Sequence, residues 1–571
     1  FEMMKYNGLL LLILCAIRSS VADVDDPTLV TLPEGQIRGQ ALQSPNDNVY
    51  YAFQDIPYAA PPIGELRFQA PVAPAKWEGI LNTTKNEKVC YQSGPGSAPI
   101  PGLNPTEDCL YLNVYTPLKP GDTSQTPLPV LIWIHGGGYE SGTGAIQIYR
   151  PGLFIDHNIV VVTINYRLGA LGFLTTEDGV IPGNLGLKDQ HFAFQWVKNN
   201  IHLFGGDPEK ITISGESAGA GSVGLHLLSQ RNKGLFRGGI LQSGTSLSQW
   251  AHQSYARFYA FELARSLDPS FTSDNSTELL ELLRSLPASD INDNSVTAAV
   301  GKESSLLDIL IWLPVIEDAN LDGALLTGLY HEDIRTGNIN QVPIIIGFNS
   351  AEGLAFLPSD SVVETYAKYF DSDLTNVIRN QFNMTKEDKL TAGTKLRQIY
   401  TDGTFEDDPG QVVKFYGDDL FTTPSIRHAK LQSNYTDVYM YQFSYKGNMG
   451  GMKDLEVAGI RGVGHSEELC YLWDAHLSFG FSYGSPYRAD DPEDVTTRQR
   501  LLTLWSNFVK YLNPTPEVDS SLGNVTWEKV SPNNLVYLNI NDTLEVETNP
   551  KEYLKWERII DSYAIPPLIN Y

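Results

Sequence analysis

Continuous apolar runs of strand length recur along the chain, at 130–134, 159–164, 211–213, 239–241, 342–346 and 438–445. Continuous apolar strands separated by helical segments predict strands buried on both faces and a sheet that is parallel at its centre, the α/β fold class. Between the second and third runs, Phe192, Trp196 and Ile201 fall near helical spacing, so 189–201 is read as a helix ended by Gly205-Gly206. Leu501, Trp505, Phe508 and Leu512 predict a late amphipathic helix stopped by Asn513-Pro514. Residues 266–302 are more polar and helix-prone, and are expected to form an insertion over the functional site.

Composition narrows the picture. With 42% hydrophobic and 19% charged residues in 571, the chain can bury a large core, which excludes disorder. No linker, repeat or low-complexity tract divides it, so 23–571 is expected to be one domain. Residues 1–22 read as a secretory signal: Lys5, an apolar run over 9–17 too short to span a bilayer, then Ser20-Val21-Ala22 before Asp23. Phe1-Glu2 ahead of Met3-Met4 puts the expected natural start at one of those methionines, and residues 565–571 carry neither an ER-retrieval nor a lipid-anchor pattern. Secretion without a stable membrane anchor is expected. A net charge of −26 argues against nucleic acid and anionic membranes as partners. Asn-x-Ser/Thr sites at Asn82, Asn275, Asn383, Asn434, Asn524 and Asn541 fit a secreted glycoprotein, expected as a monomer or weak dimer.

Cys15 leaves with the signal. Cys90 and Cys109 would close a loop in an oxidising compartment, worth about 3 kcal/mol in the chain-entropy model. Cys470 is left over. It could be a nucleophile or an intermolecular bridge, but Leu469, Tyr471, Leu472 and Trp473 around it favour a buried inert thiol.

The candidate chemistry begins at Gly215-Glu216-Ser217-Ala218-Gly219, a Gly-x-Ser-x-Gly pattern between the strand-like 211–213 and a helix-like stretch. A sharp strand-to-helix turn would present Ser217 at the carboxyl end of a sheet, and the flanking glycines leave room for it. Alone the pattern is common. His135-Gly136-Gly137-Gly138 strengthens it, because the glycines follow a buried strand and lie upstream of the serine. The N–H groups of Gly137, Gly138 and Ala218 would form a hole for an oxyanion, in which one donor is worth roughly 3 kcal/mol of barrier.

A serine nucleophile needs a base, and the base a carboxylate, in the chain order serine, acid, histidine. Glu352 follows the buried run 344–346 beside Gly353, and His465 lies in the glycine-loosened loop 462–468. The alternatives are an exposed loop carboxylate and a loop histidine without function. His191, His202 and His226 fall in helical patterns where a core or solvated imidazole is the default, and His135 belongs to the glycine motif. No His/Cys spacing suits zinc, and no phosphate-binding glycine pattern follows a strand, so neither a metal nor a cofactor is expected.

Together with 53–62 (Phe-Gln-Asp-Ile-Pro-Tyr-Ala-Ala-Pro-Pro), 107–113 (Glu-Asp-Cys-Leu-Tyr-Leu-Asn) and Gly464-His465, these motifs resemble the type-B carboxylesterase and cholinesterase family over about 30–509. The resemblance implies an α/β-hydrolase fold with a catalytic gorge, Ser217, Glu352 and His465 as the triad, and Gly137, Gly138 and Ala218 as the oxyanion hole. It implies places beside the triad, behind the reacting groups, for Glu216 and for Ser243, the latter near the acid, and buried structural ion pairs at Arg67, Glu107, Arg167 and Asp189. Some positions depart from relatives. No tryptophan lies between Cys90 and Cys109 to hold a quaternary ammonium. The stretch 308–312 lacks the aromatic pair of a tight acetylcholine acyl pocket, and Glu216 stands where juvenile hormone esterases carry Gln.

The expected function is that of a secreted serine hydrolase of small to medium hydrophobic esters (odorant, pheromone, dietary or insecticide esters) acting through an acyl-serine. Its partner is a small-molecule ester. Choline esters should rank low, and a base near its free value of about 6.5 would make activity fall in acid. The alternatives are a juvenile hormone esterase, a triacylglycerol lipase, and a non-catalytic adhesion protein of the same fold.

Overall fold

The computed structural model describes residues 26–93, 97, 99–295, 310–452, 454–474 and 491–570. The expected signal over 1–22, and the parts of the 266–302 and 308–312 stretches at 296–309, lie outside them.

Eleven strands form one sheet: β1 (Gln40–Gln43), β2 (Val49–Pro57), β3 (Tyr111–Thr116), β4 (Leu128–Ile134), β5 (Val160–Ile164), β6 (Gly206–Glu216), β7 (Gly238–Gln242), β8 (Ile344–Asn349), β9 (Val438–Phe443), β10 (Val536–Ile540) and β11 (Leu544–Thr548). Their spatial order is β11-β10-β9-β8-β7-β6-β4-β5-β3-β2-β1. All pairings from β10 to β5 are parallel, and the strands beyond either end pair antiparallel. Most of the runs are continuous because the strand feeds two cores, whereas Ile211 and Ile213 of β6 enter only the first. Ile132 and Ile134 of β4 and Ile344 and Ile346 of β8 enter one, while Leu131, Trp133 and Ile345 enter the other.

Among the flanking helices, α1 (Leu185–Asn200) starts four residues before the expected 189. Lys188 is buried in an ion pair with Glu317 at 2.5 Å, and Leu185 and Leu187 enter the core. Helix α2 (Ala218–Leu228) follows β6 and is buried throughout. Helices α3 (Gly410–Gly417) and α4 (Thr423–Gln432) are joined without a break by a π-helical turn, Asp418–Thr422, which no feature of the sequence announced. The late helix, α5 (Pro492–Tyr511), opens on a proline capped by Asp491. It ends at Leu512, which turns left-handed (φ 58°) just before Asn513-Pro514, so the expected stop signal is one residue downstream of the real one. Leu501, Trp505 and Phe508 lie in the second core, as the spacing predicts.

Candidate active site

Strand β6 runs directly into α2, and Ser217 is the one residue between them, at φ 56° and ψ −124°. Such backbone costs a side-chain-bearing residue roughly 1–3 kcal/mol and persists only where its surroundings enforce it. Here the Ser217 N–H donates to the Gln242 carbonyl on β7 and the Ser217 carbonyl accepts from the Gly221 N–H, both at 2.9 Å. The flanking glycines supply space rather than unusual dihedrals. A Cβ on Gly215 would sit 2.4 Å from the Gly219 carbonyl carbon, and one on Gly219 would sit 2.1 Å from the Ile134 oxygen.

The Gly136–138 segment leaves β4 and lies against this turn. A Cβ on Gly136 would be 3.0 Å from Ser217 Cβ and 2.8 Å from Glu216 Oε2. Gly137 and Gly138 have φ of 105° and 65°, backbone that glycine adopts freely. Two N–H groups, from Glu140 and Ser141, close onto the Gly137 carbonyl at 3.0 Å and fix the loop. Ala218 opens α2, so its N–H has no carbonyl four residues back within the helix. The Leu310 methyl groups lie 3.1 and 3.2 Å from the Cβ position of Gly138, forming a wall over that glycine. His135 is buried and stacked on Tyr166, and burial pushes its pKa down to about 4 despite the Gly136 carbonyl at Nδ1, so it is a neutral structural imidazole.

Glu352 opens a short 3-10 turn just past β8, and His465 lies in the loop beyond β9. His465 Nδ1 is 2.6 Å from Glu352 Oε2. The other carboxylate oxygen accepts from the Asn349 N–H and the Ser243 O–H, each at 2.6 Å. Both carboxylate oxygens of Glu352 are therefore occupied, which leaves it one orientation. Ser243 (φ 52°) follows β7 and donates its N–H to the Gly347 carbonyl at 2.8 Å. On the other side of the imidazole, Nε2 is 3.1 Å from Glu216 Oε1, and Ser466 donates to that same oxygen. The groups converge because they stand at the carboxyl ends of β6 to β9, parallel neighbours, where such sheets place their sites.

Three residues that the sequence did not single out complete the arrangement. Glu468 is fully buried, and its oxygens accept from Gln242 Nε2 (3.0 Å) and Asn349 Nδ2 (2.6 Å). Asn349 also donates to the Gly464 carbonyl at 2.7 Å, tying the Glu352 turn to the His465 loop. The Glu467-Glu468 pair beside His465 was a visible signal, but nothing in the sequence separated Asn349 from an ordinary loop residue. The third, Phe421, is presented by the π turn, with its ring centroid 4.3 Å from that of His465. Phe356 lies at 5.3 Å from the same imidazole.

Burial alone would lower the His465 pKa, but Glu216, Glu352 and Glu468 together outweigh it and raise the value to about 9. This lies above the free value of about 6.5, because three carboxylates surround a group for which one was anticipated. Burial raises Glu216, opposed by His465 and by the Ser466 hydroxyl, and burial beside Glu216 pushes Glu468 up to about 8. Among the described residues, no group of three His, Cys, Asp or Glu is arranged to hold a metal ion.

The remaining residues singled out in the sequence have plain places. Arg167–Asp189 (2.7 Å) is a buried ion pair, Arg67–Glu107 (2.6 Å) is one whose glutamate is half-buried, and Cys90 is bonded to Cys109. Cys470 is buried and lies outside that disulfide. His226 and His191 lie in a polar network with Gln190 and Asn232 behind α2, while His202 is exposed. Asn82, Asn275, Asn383, Asn434 and Asn524 are exposed and Asn541 is half-buried. Asn275 also caps the helix Ser276–Ser285. No helix among the described residues is long and apolar enough to cross a membrane.

Residues 26–555 match the carboxylesterase family. Juvenile hormone esterase of Tribolium castaneum is 32% identical over 539 residues, covering 90% of this chain and 88% of its own. Venom carboxylesterase-6 of Apis mellifera is 31% identical over 579 residues, covering 96% and 97%. The crystal structure of juvenile hormone esterase from Manduca sexta, with OTFP covalently attached, superposes with a TM-score of 0.80 at 27% identity, over 94% of this chain and 99% of that one.

Proposed function

The chain belongs to the carboxylesterase family, with the α/β-hydrolase fold and the serine ester hydrolase activity of that family, and from this premise we propose that Ser217, Glu352 and His465 perform the hydrolysis through an acyl-serine intermediate. His465 Nε2 takes the Ser217 proton as Oγ attacks the ester carbonyl. The N–H groups of Gly137, Gly138 and Ala218 receive the developing oxyanion. The imidazolium then protonates the leaving alcohol, and the neutral base activates water to release the acid. Glu352 accepts from Nδ1–H, which keeps Nε2 available as the acceptor and stabilises the imidazolium. One observation carries this reading: a serine held in strained backbone beside three glycines, in the same cluster as a histidine paired at 2.6 Å with a carboxylate whose other oxygen is already taken.

The substrates are small to medium neutral esters with hydrophobic groups, and the enzyme acts after secretion. Leu310, Phe356 and Phe421 near the reacting groups support an apolar substrate. A second reading, juvenile hormone esterase, is favoured by the likeness to the Tribolium and Manduca proteins of that name, and is opposed by Glu216 in place of Gln. Organophosphate labelling with peptide mapping tests the nucleophile: the adduct belongs on Ser217, and Ser217→Ala should abolish both label and turnover. An adduct elsewhere, or undiminished turnover in the mutant, refutes the assignment. A panel of acetate, butyrate, aryl, choline and juvenile hormone esters, with emulsified triglyceride, ranks the substrates. Retention of activity in the culture medium of an expressing eukaryotic cell tests secretion.

A further inference from the structure

Ser466, directly after the base, has φ 69°. Glycine takes that conformation without strain and other residues rarely do. The same loop uses glycine at 462 and 464 but not here. What serine adds is a hydroxyl, and the hydroxyl donates to Glu216 Oε1, 250 positions away in the chain. That oxygen is the one 3.1 Å from His465 Nε2. We propose that Ser466 is a positioning residue whose hydroxyl holds Glu216 ionised and fixed on the Nε2 side of His465, and thereby sets the pH at which the enzyme becomes active. The proposal rests on the triad assigned above.

The physics is that of a donor on a carboxylate, which favours its charged form. Ser466 lowers the proton affinity of a Glu216 that burial has raised. The charged and titratable groups around His465 are few. Glu216 comes from β6 and Glu352 from the turn after β8, while Glu467 and Glu468 lie on its own segment. The Tyr441 phenol of β9 is pushed well above its ordinary range by burial and these carboxylates, and stays neutral. On the π turn, Asp419 is paired with Arg379 and Asp418 accepts from Tyr400, while Phe421 and Phe356 bring no charge. Without the Ser466 hydroxyl, Glu216 binds a proton more readily and the imidazolium loses a neighbouring negative charge. His465 then deprotonates at lower pH, and the imidazolium formed during acyl transfer is less supported.

Ser466→Gly separates this role from a structural one, because it relieves the backbone while removing the hydroxyl. The pH profiles of kcat/KM for p-nitrophenyl butyrate are compared in the parent, Ser466→Gly, Glu216→Gln and the double variant. Ser466→Gly should melt no lower than the parent, move the acid limb down by about half a unit and lower the plateau about tenfold. The double variant should superpose on Glu216→Gln. A parental limb and plateau in Ser466→Gly overturn the proposal, as does a Ser466→Gly effect undiminished in the Glu216→Gln background. Organophosphate mapping of the parent distinguishes the two levels. An adduct on Ser217 with a parental Ser466→Gly profile sinks this inference alone, and an adduct elsewhere sinks the triad and this inference with it.

Discussion

Glu352→Gln changes one oxygen to an amide nitrogen, and the surroundings decide what that does. Oε1 accepts from the Asn349 N–H and the Ser243 O–H, and Oε2 faces His465 Nδ1. If the glutamine oxygen keeps the first pair of donors, its NH2 faces Nδ1 and forces the proton to Nε2, the tautomer that cannot accept from Ser217. If the amide flips, its NH2 meets the Asn349 N–H, which cannot rotate away as the Ser243 hydroxyl can. That leaves a buried donor unpaired, at about 1–3 kcal/mol, so the inactive tautomer prevails. The imidazolium also loses a counter-charge, worth about 4 kcal/mol at 4 Å and an effective dielectric near 20. Together these come to about 5–7 kcal/mol, or about 10⁴- to 10⁵-fold in kcat/KM. The assay is steady-state hydrolysis of p-nitrophenyl butyrate at the pH optimum, with near-ultraviolet circular dichroism to confirm folding. A folded Glu352→Gln enzyme within tenfold of the parent would refute the reasoning, because no buried acid orienting the base could be so dispensable.

Four further outcomes follow from the structure. Gly138→Ala puts a methyl at φ 65° and 3.1 Å from Leu310, whose side chain can yield, so the protein should fold while displacement of the oxyanion donor lowers kcat about 100-fold more than it changes KM. The acid limb of kcat/KM should lie above 6.5, because the carboxylates raise His465 to about 9 and activity requires its neutral form; a limb at or below 6.5 would show that they do not act on it. By the same shift, protonated His465 supports the fold fully below pH 6.5, and that support is lost as the pH rises through about 9. Arg379→Met removes the guanidinium from the buried Asp419 carboxylate on the π turn, and should lower the melting temperature and weaken the hold on Phe421.

Much of this protein was legible along the chain because its signals are local. An apolar run bounded by turns needs no partner to be recognised, so the central parallel strands β4 to β9 were readable from 130–134 to 438–445. The elbow glycines, the 136–138 triplet, and Glu352 and His465 each announce themselves through a steric or chemical requirement expressed within a few residues. Boundaries were less legible where pairing over distance reverses a local preference. The helix read from 189 begins at Leu185, because Lys188 is buried in an ion pair with the distant Glu317 and Leu185 and Leu187 enter the core.

What only the tertiary structure decided is the electrostatics of the base. Ser217, Glu352 and His465 are separated by more than a hundred positions each, and local pattern can nominate them but cannot say what else stands beside them. The sheet order places β6, β7, β8 and β9 side by side, and with them come Glu216, Ser243, Asn349, Glu468 and Ser466. Coulomb interactions depend on distance in space, and a buried site screens them weakly. The chain determined which groups could react, and the fold set the field in which His465 must gain and lose its proton.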